Sequence, residues 1–497
     1  MSMPLEGTGP IDLALRARAA AALARVLPPE AILATDEDTR PYECDGLTLY
    51  RQTPMLVVLP ATSAEVAAAL RVCAELNVPV IARGAGTGLS GGSLPHSAGV
   101  LLSLARLNRI LEVDPIARTA RVEPGVRNLA ISEAAAPHGL FYAPDPSSQV
   151  ACTIGGNVAE NSGGVHCLKY GVTLHNVLAV RGITMEGEDV TFGSAAPDDS
   201  GLDLLSLVLG SEGMLLVVTE VLVRLLPKPA VARCLMASFN DVEVAGEAVA
   251  AVIAAGIIPA ALEMMDQAAT RMVEPFVHAG YDLDAAAILL CESDGDPAEV
   301  AEEIGRMTRV LEAAGATRIA LARDEAERLR FWAGRKNAFP AAGRVSPDYY
   351  CMDGTIPRRQ LGRVLNAIRE MEGTYGLRCP NVFHAGDGNL HPLILFDAND
   401  PDSVVRAEAF GAAILRLCVD VGGTVTGEHG VGVEKLSQMC DQFDGPTRSA
   451  FLGVRRAFDP RGLLNPGKAI PSLHRCAEYG RQHVHHGRAP FADLPRL

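Results

Sequence analysis

The sequence is short of three things, and each shortage narrows what the chain can do. No two of its eleven cysteines form a C-x-x-C pair and their number is odd, which argues against a disulfide framework and for a reducing compartment. The same spacing argues against an iron–sulfur cluster held by this chain alone; electrons taken up here must leave by another route. Basic residues are outnumbered 44 to 59, for a formal charge of −15. Non-specific nucleic-acid binding rests on basic surface and is disfavoured, and an anionic ligand would need a local basic pocket. Long apolar runs are missing too. The longest uncharged one, Ala248–Leu262, contains Gly256 and Pro259 and is shorter than the roughly 20 residues of a spanning helix. The apolar stretch Ala19–Leu27 is broken by Arg25 and followed by Pro28 and Pro29, unlike a secretory leader. The expectation is a cytoplasmic protein that reaches a membrane, such as the inner membrane, only peripherally through partner subunits.

What is present is a 497-residue chain, 48% hydrophobic, long enough for two or three domains. Thr62-x-x-Glu65 reads as a capping box opening an Ala-rich helix to about Leu76. Strands are expected at Val78–Ala82, Val100–Leu104, Thr119–Val122 and Leu215–Glu220, and Pro227 and Pro229 mark a boundary. Beyond it the texture changes. Cys234–Phe239, Val242–Ala255 and Ala260–Met264 form one β-α-β run, and Ala286–Glu292, Pro297–Ala314 and Arg318–Leu321 another. Two such units predict a ferredoxin-like α+β domain. A last helix is expected near Thr447–Phe458.

Arg83, Gly84, Ala85, Gly86, Thr87, Gly88, Leu89, Ser90, Gly91 and Gly92 follow a predicted strand. Glycines at this density let backbone N–H groups close around an anion; the bland alternative is a mobile turn. Gly86-x-Gly88-x-x-Gly91 also fits the dinucleotide fingerprint as a string. A Rossmann unit, however, needs a helix directly after the loop. Gly92, Pro95 and Gly99 precede the next strand and leave no room for one, so a nicotinamide cofactor is not expected.

A second glycine zone makes the reading specific. Pro144, Asp145 and Ser148 lead to Gly155, Gly156 and Asn157, then Asn161 and Gly164, and finally Lys169-Tyr-Gly171. With Glu212 and Gly213 in Gly-Ser-Glu-Gly, and Asn465 in Asn-Pro-Gly-Lys, these blocks resemble the vanillyl-alcohol-oxidase type of FAD enzymes. Within that group the chain looks most like FAD-linked subunits of glycolate oxidase and their D-lactate and D-2-hydroxyglutarate dehydrogenase relatives. The resemblance runs from Pro41 to the tail and includes Tyr42–Gly46, Phe331–Asn337 and Tyr349–Asp353. It implies an FAD domain of two α+β lobes at 1–228, a substrate cap at 229–440, and a return to the FAD domain at 441–497. The FAD pyrophosphate would lie on Arg83–Gly92, with Pro144–Ser148 and Gly155–Gly164 near the adenosine and isoalloxazine. Some relatives hold FAD through a histidine. None occurs in Arg83–Gly92, so non-covalent FAD is expected, with His166 the residue to check.

Two further segments carry chemistry. His384 and His391 flank Gly386, Asp387, Gly388 and Asn389, residues that favour a turn between two strands. A tight turn brings its flanking side chains together, and Glu428 offers a third, oxygen ligand. Two histidines and a carboxylate suit a divalent metal with open positions, above all zinc; a structural carboxylate–histidine network is the alternative. A 2-hydroxy acid loses a hydroxyl proton and a hydride from one carbon. His429 is the candidate base, with an orienting role as its alternative. Arg335 is the candidate clamp for the substrate carboxylate, with Lys336 beside it. Relatives acting on 2-hydroxyglutarate resemble this chain except at Cys351, where they carry a lysine, and Leu393, where they carry a polar residue; this favours small monocarboxylates, glycolate or D-lactate. The resemblance further implies a second FAD-binding subunit and an iron–sulfur subunit as partners. A stand-alone D-lactate dehydrogenase, a non-catalytic flavin subunit and a flavin-free zinc hydrolase are the competing readings. His474, Cys476, His483, His485 and His486 crowd the tail, where a polar disordered segment is the expectation.

Overall fold

Val80–Arg83 and Val100–Ser103 are nearly all apolar and pair in parallel, as strands buried on both faces do. The computed structural model describes residues 7–196 and 201–471; the histidine-bearing tail lies outside them. Among the described residues the chain forms two compact units, one of residues 7–162, 172–196, 201–227 and 429–471, the other of Gly163–Gly171 and Lys228–Glu428. The expected bounds at 228, 229 and 440 differ from this division at two places. Gly163–Gly171 falls in the second unit, and His429 already opens the last segment of the first.

The first unit holds two larger sheets and a two-stranded pair of Leu140–Phe141 with Leu226–Pro227. One is ordered Ile32–Leu33, Leu56–Val58, Val100–Ser103, Val80–Arg83. Helices Leu13–Leu23 and Ser63–Leu76 pack on it through Leu23, Val66, Leu70 and Cys73. The latter helix starts as its sequence dictates, with the Thr62 side chain accepting from the Glu65 N–H at 3.2 Å. Glu65 reaches back one residue further than in a regular box, to the Ala61 N–H at 2.7 Å. The helix ends at Asn77, whose φ of 54° is left-handed. The other sheet is antiparallel, in the order Ile110–Asp114, Thr119–Val122, Val217–Arg224, Val177–Ile183, Asp189–Gly193. A separate core that includes Val122, Ile154, Val180 and Val221 lies against it. No helix separates Arg83 from Val100, which removes the Rossmann context as expected.

The second unit is built on strands Arg318–Leu321, Val231–Phe239, Ala287–Gly295, Ala261–Asp266 and Val382–Phe383, in that order and wholly antiparallel. Numbered along the chain, its first four strands follow the 4-1-3-2 order of two interleaved β-α-β units, the ferredoxin-like topology that the sequence pattern predicts. Val382–Phe383 extends the sheet at its Ala261–Asp266 edge. Leu393–Phe396 instead pairs with Asp348–Cys351 in a small second sheet. The turn between the two histidines therefore joins two different sheets. Every described cysteine is a free thiol, and no helix among the described residues is long and apolar enough to cross a membrane.

Candidate active site

In the first unit the glycine segment becomes a cradle made of backbone. Among the described residues, the N–H groups of Ala85 through Ser90 make no hydrogen bond within the chain. Gly86 has φ of 70°, a left-handed conformation that glycine adopts without strain. Thr153, just before helix Ile154–Glu160, lies so close that a Cβ on Gly84 would stand 2.3 Å from its Oγ1. The Ser90 and Thr153 hydroxyls are buried without a hydrogen-bond partner. Unpaired donors on a loop that admits no side chain at Gly84 are what a phosphate group requires, so these residues fit the pyrophosphate of FAD. Arg83 supports the loop from beneath, donating to the Cys44 carbonyl at 2.7 Å. Asp45 faces the same loop. Burial lifts its carboxyl to about 6, against the opposing pull of the Leu47 N–H and Arg83.

The other cofactor candidates divide into frame and lining. Asn128 Nδ2 donates to the Pro144 carbonyl at 3.0 Å, fixing the start of the segment that carries Asp145 and Ser148. Gly155 donates its N–H to the Pro124 carbonyl at 2.9 Å, and Gly156 and Asn157 follow on the same helix. Asn161 ends that helix at φ 55° and accepts from the Leu174 N–H at 2.8 Å. Glu212, also left-handed at φ 51°, accepts the Val431 and Gly432 N–H groups at 2.7 Å each. Asn465 Nδ2 donates to the Gly92 and Glu212 carbonyls at 2.9 and 2.7 Å, binding the Gly213 turn to the cradle. Gly164, alone among these candidates, falls in the other unit.

In the second unit the histidine turn closes as its residues require. Gly388 N–H donates to the His384 carbonyl at 3.0 Å, and Asn389 faces His384 across an antiparallel bridge. The imidazoles meet edge to face, ring centres 5.0 Å apart. Glu428 Oε1 lies 3.3 Å from His384 Nε2 and 2.9 Å from His391 Nε2. Two ligands of a tetrahedral zinc stand about 3.4 Å apart, so the donor atoms and their spacing fit a divalent ion. All three offer ligand atoms within 4.8 Å of one another. The loop that presents Glu428 is held by Asp353, which accepts the N–H groups of Gly427 and Glu428 at 3.0 and 3.1 Å and Asn389 Nδ2 at 3.0 Å. Asn389 thus steadies the loop opposite the histidines.

Arg335, in helix Glu325–Lys336, is buried, whereas Lys336 is exposed. Its Nε donates to Glu263 Oε2 at 2.6 Å, and Nη2 stands 3.5 Å from His384 Nδ1. Glu263 Oε1 in turn lies 2.7 Å from His384 Nδ1. Burial works against charge in this cluster, but the facing partners outweigh it. Glu263 and Glu428 raise His384 well above its ordinary value, and the two imidazoles hold Glu428 well below the carboxylate range. His166 stands apart from this chemistry, against Trp332 and 3.5 Å from Glu292 Oε1. His429 is half-buried and opens the first unit's last segment, so the division between the units falls in the Glu428–His429 peptide bond.

Sequence reasoning missed Glu263 and gave Asp353 no role. The available signal for Glu263 was a lone carboxylate in the otherwise apolar Ala260-Ala-Leu-Glu-Met-Met265.

Family models match in two places: an FAD binding domain over residues 54–193 and the C-terminal domain of FAD linked oxidases over 228–469. The chain is 62% identical to the glycolate oxidase subunit GlcD of Escherichia coli K12 over 476 residues, which cover 96% of this chain and 95% of that one. Identity to the GlcD of Bacillus subtilis is 38%, over 86% of this chain and 91% of that one. A D-lactate dehydrogenase of Anaerostipes hadrus is 31% identical, covering 90% and 96%. Among solved structures, p-cresol methylhydroxylase with substrate bound superposes with a TM-score of 0.77 at 17% identity, over 95% of this chain and 99% of that one. This last likeness concerns the fold.

Proposed function

Because this chain belongs to the FAD-linked oxidase family that includes the glycolate oxidase subunits, we propose that it oxidises glycolate to glyoxylate, and D-lactate to pyruvate, with FAD as the hydride acceptor. The observation that carries the reading is the convergence of His384 Nε2, His391 Nε2 and Glu428 Oε1 in the same unit as a buried arginine, in a chain 62% identical to a glycolate oxidase subunit. Bound FAD supplies a two-electron acceptor, and a divalent metal, zinc by its donor set, supplies a Lewis acid for the substrate hydroxyl.

The residues of the chain do the rest. Ala85–Ser90 hold the pyrophosphate through their N–H groups, without a covalent bond to the flavin. His384, His391 and Glu428 hold the metal. Arg335 pairs with the substrate carboxylate through the guanidinium edge that Glu263 does not occupy. His429 takes the hydroxyl proton as the C–H bond breaks. Cys351 and Leu393 are buried and face each other in the small sheet. They offer no second cation for a dicarboxylate, which supports a small monocarboxylate substrate. The unit of Lys228–Glu428 is the substrate cap. Electrons pass on to a second FAD-binding subunit and an iron–sulfur subunit; the word subunit in the relatives' names supports an assembly. The place of action is the cytoplasm, with membrane contact through those partners.

Anaerobic stopped-flow mixing of the FAD-loaded chain with glycolate, D-lactate, L-lactate and D-2-hydroxyglutarate tests this. Bleaching of the oxidised flavin by glycolate and D-lactate alone is expected, and bleaching by D-2-hydroxyglutarate alone would refute the substrate class.

A further inference from the structure

Glu263 has no place in the chemistry so far, yet it is buried with a partner on each carboxylate oxygen. It sits in the strand Ala261–Asp266, every residue of which is buried. The strand pairs antiparallel with Val382–Phe383 in the register Met265 to Val382 and Met264 to Phe383, so the next step brings Glu263 opposite His384. Gly386 N–H donates to the Leu262 carbonyl at 2.8 Å, tying the histidine turn to the same strand. Both carboxylate oxygens are used: Oε1 on His384 Nδ1 at 2.7 Å and Oε2 on Arg335 Nε at 2.6 Å. Burying a carboxylate without such partners would cost several kcal/mol. Oε2 faces a guanidinium, which is always charged, so the side chain stands there as the carboxylate of an ion pair.

A carboxylate only accepts, so the contact with Glu263 places a proton on His384 Nδ1 and leaves Nε2 to face Glu428 and His391. The other oxygen takes the Nε edge of Arg335 and leaves the Nη groups for a second anion.

We propose that Glu263 is the positioning residue of this site, one buried carboxylate that fixes the tautomer of the metal-binding His384 and the orientation of the anion-binding Arg335. It couples the two functions, because one strand residue sets both. The inference rests on the metal reading given above. Carboxylates that orient a ligating histidine typically contribute 10–100-fold in metal affinity.

The test is zinc affinity, measured by competition with a chromophoric chelator on the FAD-loaded full chain after metal stripping. Wild type, Glu263→Gln and the exposed control Glu325→Gln are compared, with FAD content and thermal unfolding recorded for each. Gln keeps the shape but meets two donors with one acceptor. Glu263→Gln is expected to bind zinc about 10–100-fold more weakly while keeping FAD, and Glu325→Gln to match wild type. Wild-type zinc binding with unchanged affinity in Glu263→Gln would overturn the role of Glu263 and leave the metal site standing. A wild-type chain that takes up no zinc would overturn both. Should Glu263→Gln fail to fold, the wild type still decides. Nitrogen-15 histidine spectra of the zinc-loaded chain are expected to show His384 protonated at Nδ1, and protonation at Nε2 would overturn the proposal.

Discussion

The glycine cradle and the histidine cluster are built by opposite means. The cradle offers the backbone N–H groups of Ala85 through Ser90, which nothing else among the described residues uses. It needs glycine at particular places because a side chain would collide or strain. The cluster works with side chains drawn from a strand, a helix, a turn and a loop, each already committed to a neighbour. A backbone site is defined by local conformation and tolerates no added atom. A side-chain site is defined by long-range register and tolerates no lost partner. The two meet in sequence at one peptide bond: Asp353 secures Glu428 in the second unit, and Glu212 secures Val431 and Gly432 in the first.

That contrast is broken most severely by removing a partner from the cluster. His391→Ala is expected to slow flavin reduction by glycolate about a thousandfold, the several kcal/mol a metal centre supplies, with FAD still bound. Stopped-flow absorbance and flavin content measure both; lost flavin would mean that the regions are not separable.

Adding an atom to the cradle is the converse. A Cβ at Gly432 would stand 2.1 Å from the Ser90 carbonyl oxygen, at a φ of 52°. Gly432→Ala should cost about 4 kcal/mol from backbone strain and overpacking together. The visible effect would be loss of FAD on gel filtration, with the zinc affinity of the protein unchanged.

A smaller effect separates structural charge from functional charge within the cap. Glu292 is buried in that sheet, and burial tends to raise its pKa. His166, Arg328 at 2.8 Å and Trp332 Nε1 at 2.5 Å more than offset this, bringing it from 4.5 to about 2. A depressed carboxylate stabilises the fold above its unfolded value and ceases to do so as pH falls through the folded one. The cap should therefore lose on the order of 3 kcal/mol between pH 4.5 and 2. Glu292→Gln should remove a similar amount at pH 7 and flatten that dependence in chemical denaturation, while leaving zinc affinity unaltered.

The same contrast explains what could be read in advance. The cradle was legible because its requirement is written locally, as five glycines after an apolar strand. The capping box at Thr62 and the β-α-β periodicity of the cap were legible for the same reason, and the ferredoxin-like strand order followed. His384, His391 and Glu428 were visible as residue types, since a Gly-Asp-Gly-Asn turn brings its flanks together whatever surrounds it. Glu263 was not, because only the pairing of Ala261–Asp266 with Val382–Phe383 brings it beside His384, more than a hundred residues away. Asp353 likewise shows no role in the sequence, since its task of holding Gly427 and Glu428 exists only once the loop has folded. Gly163–Gly171 read as one flavin-domain stretch, yet Lys169 and Tyr170 bond to Asp294 in the sheet of the second unit, and those long-range contacts leave no mark in the local sequence.

The most direct test of this division of labour is anaerobic flavin reduction by glycolate in the FAD-loaded chain before metal stripping, after it, and after zinc is restored. FAD should remain bound throughout, with reduction lost on stripping and recovered on reloading. A chain verified free of metal that reduces its flavin at the original rate would contradict the account, and would leave His384, His391 and Glu428 as a structural network.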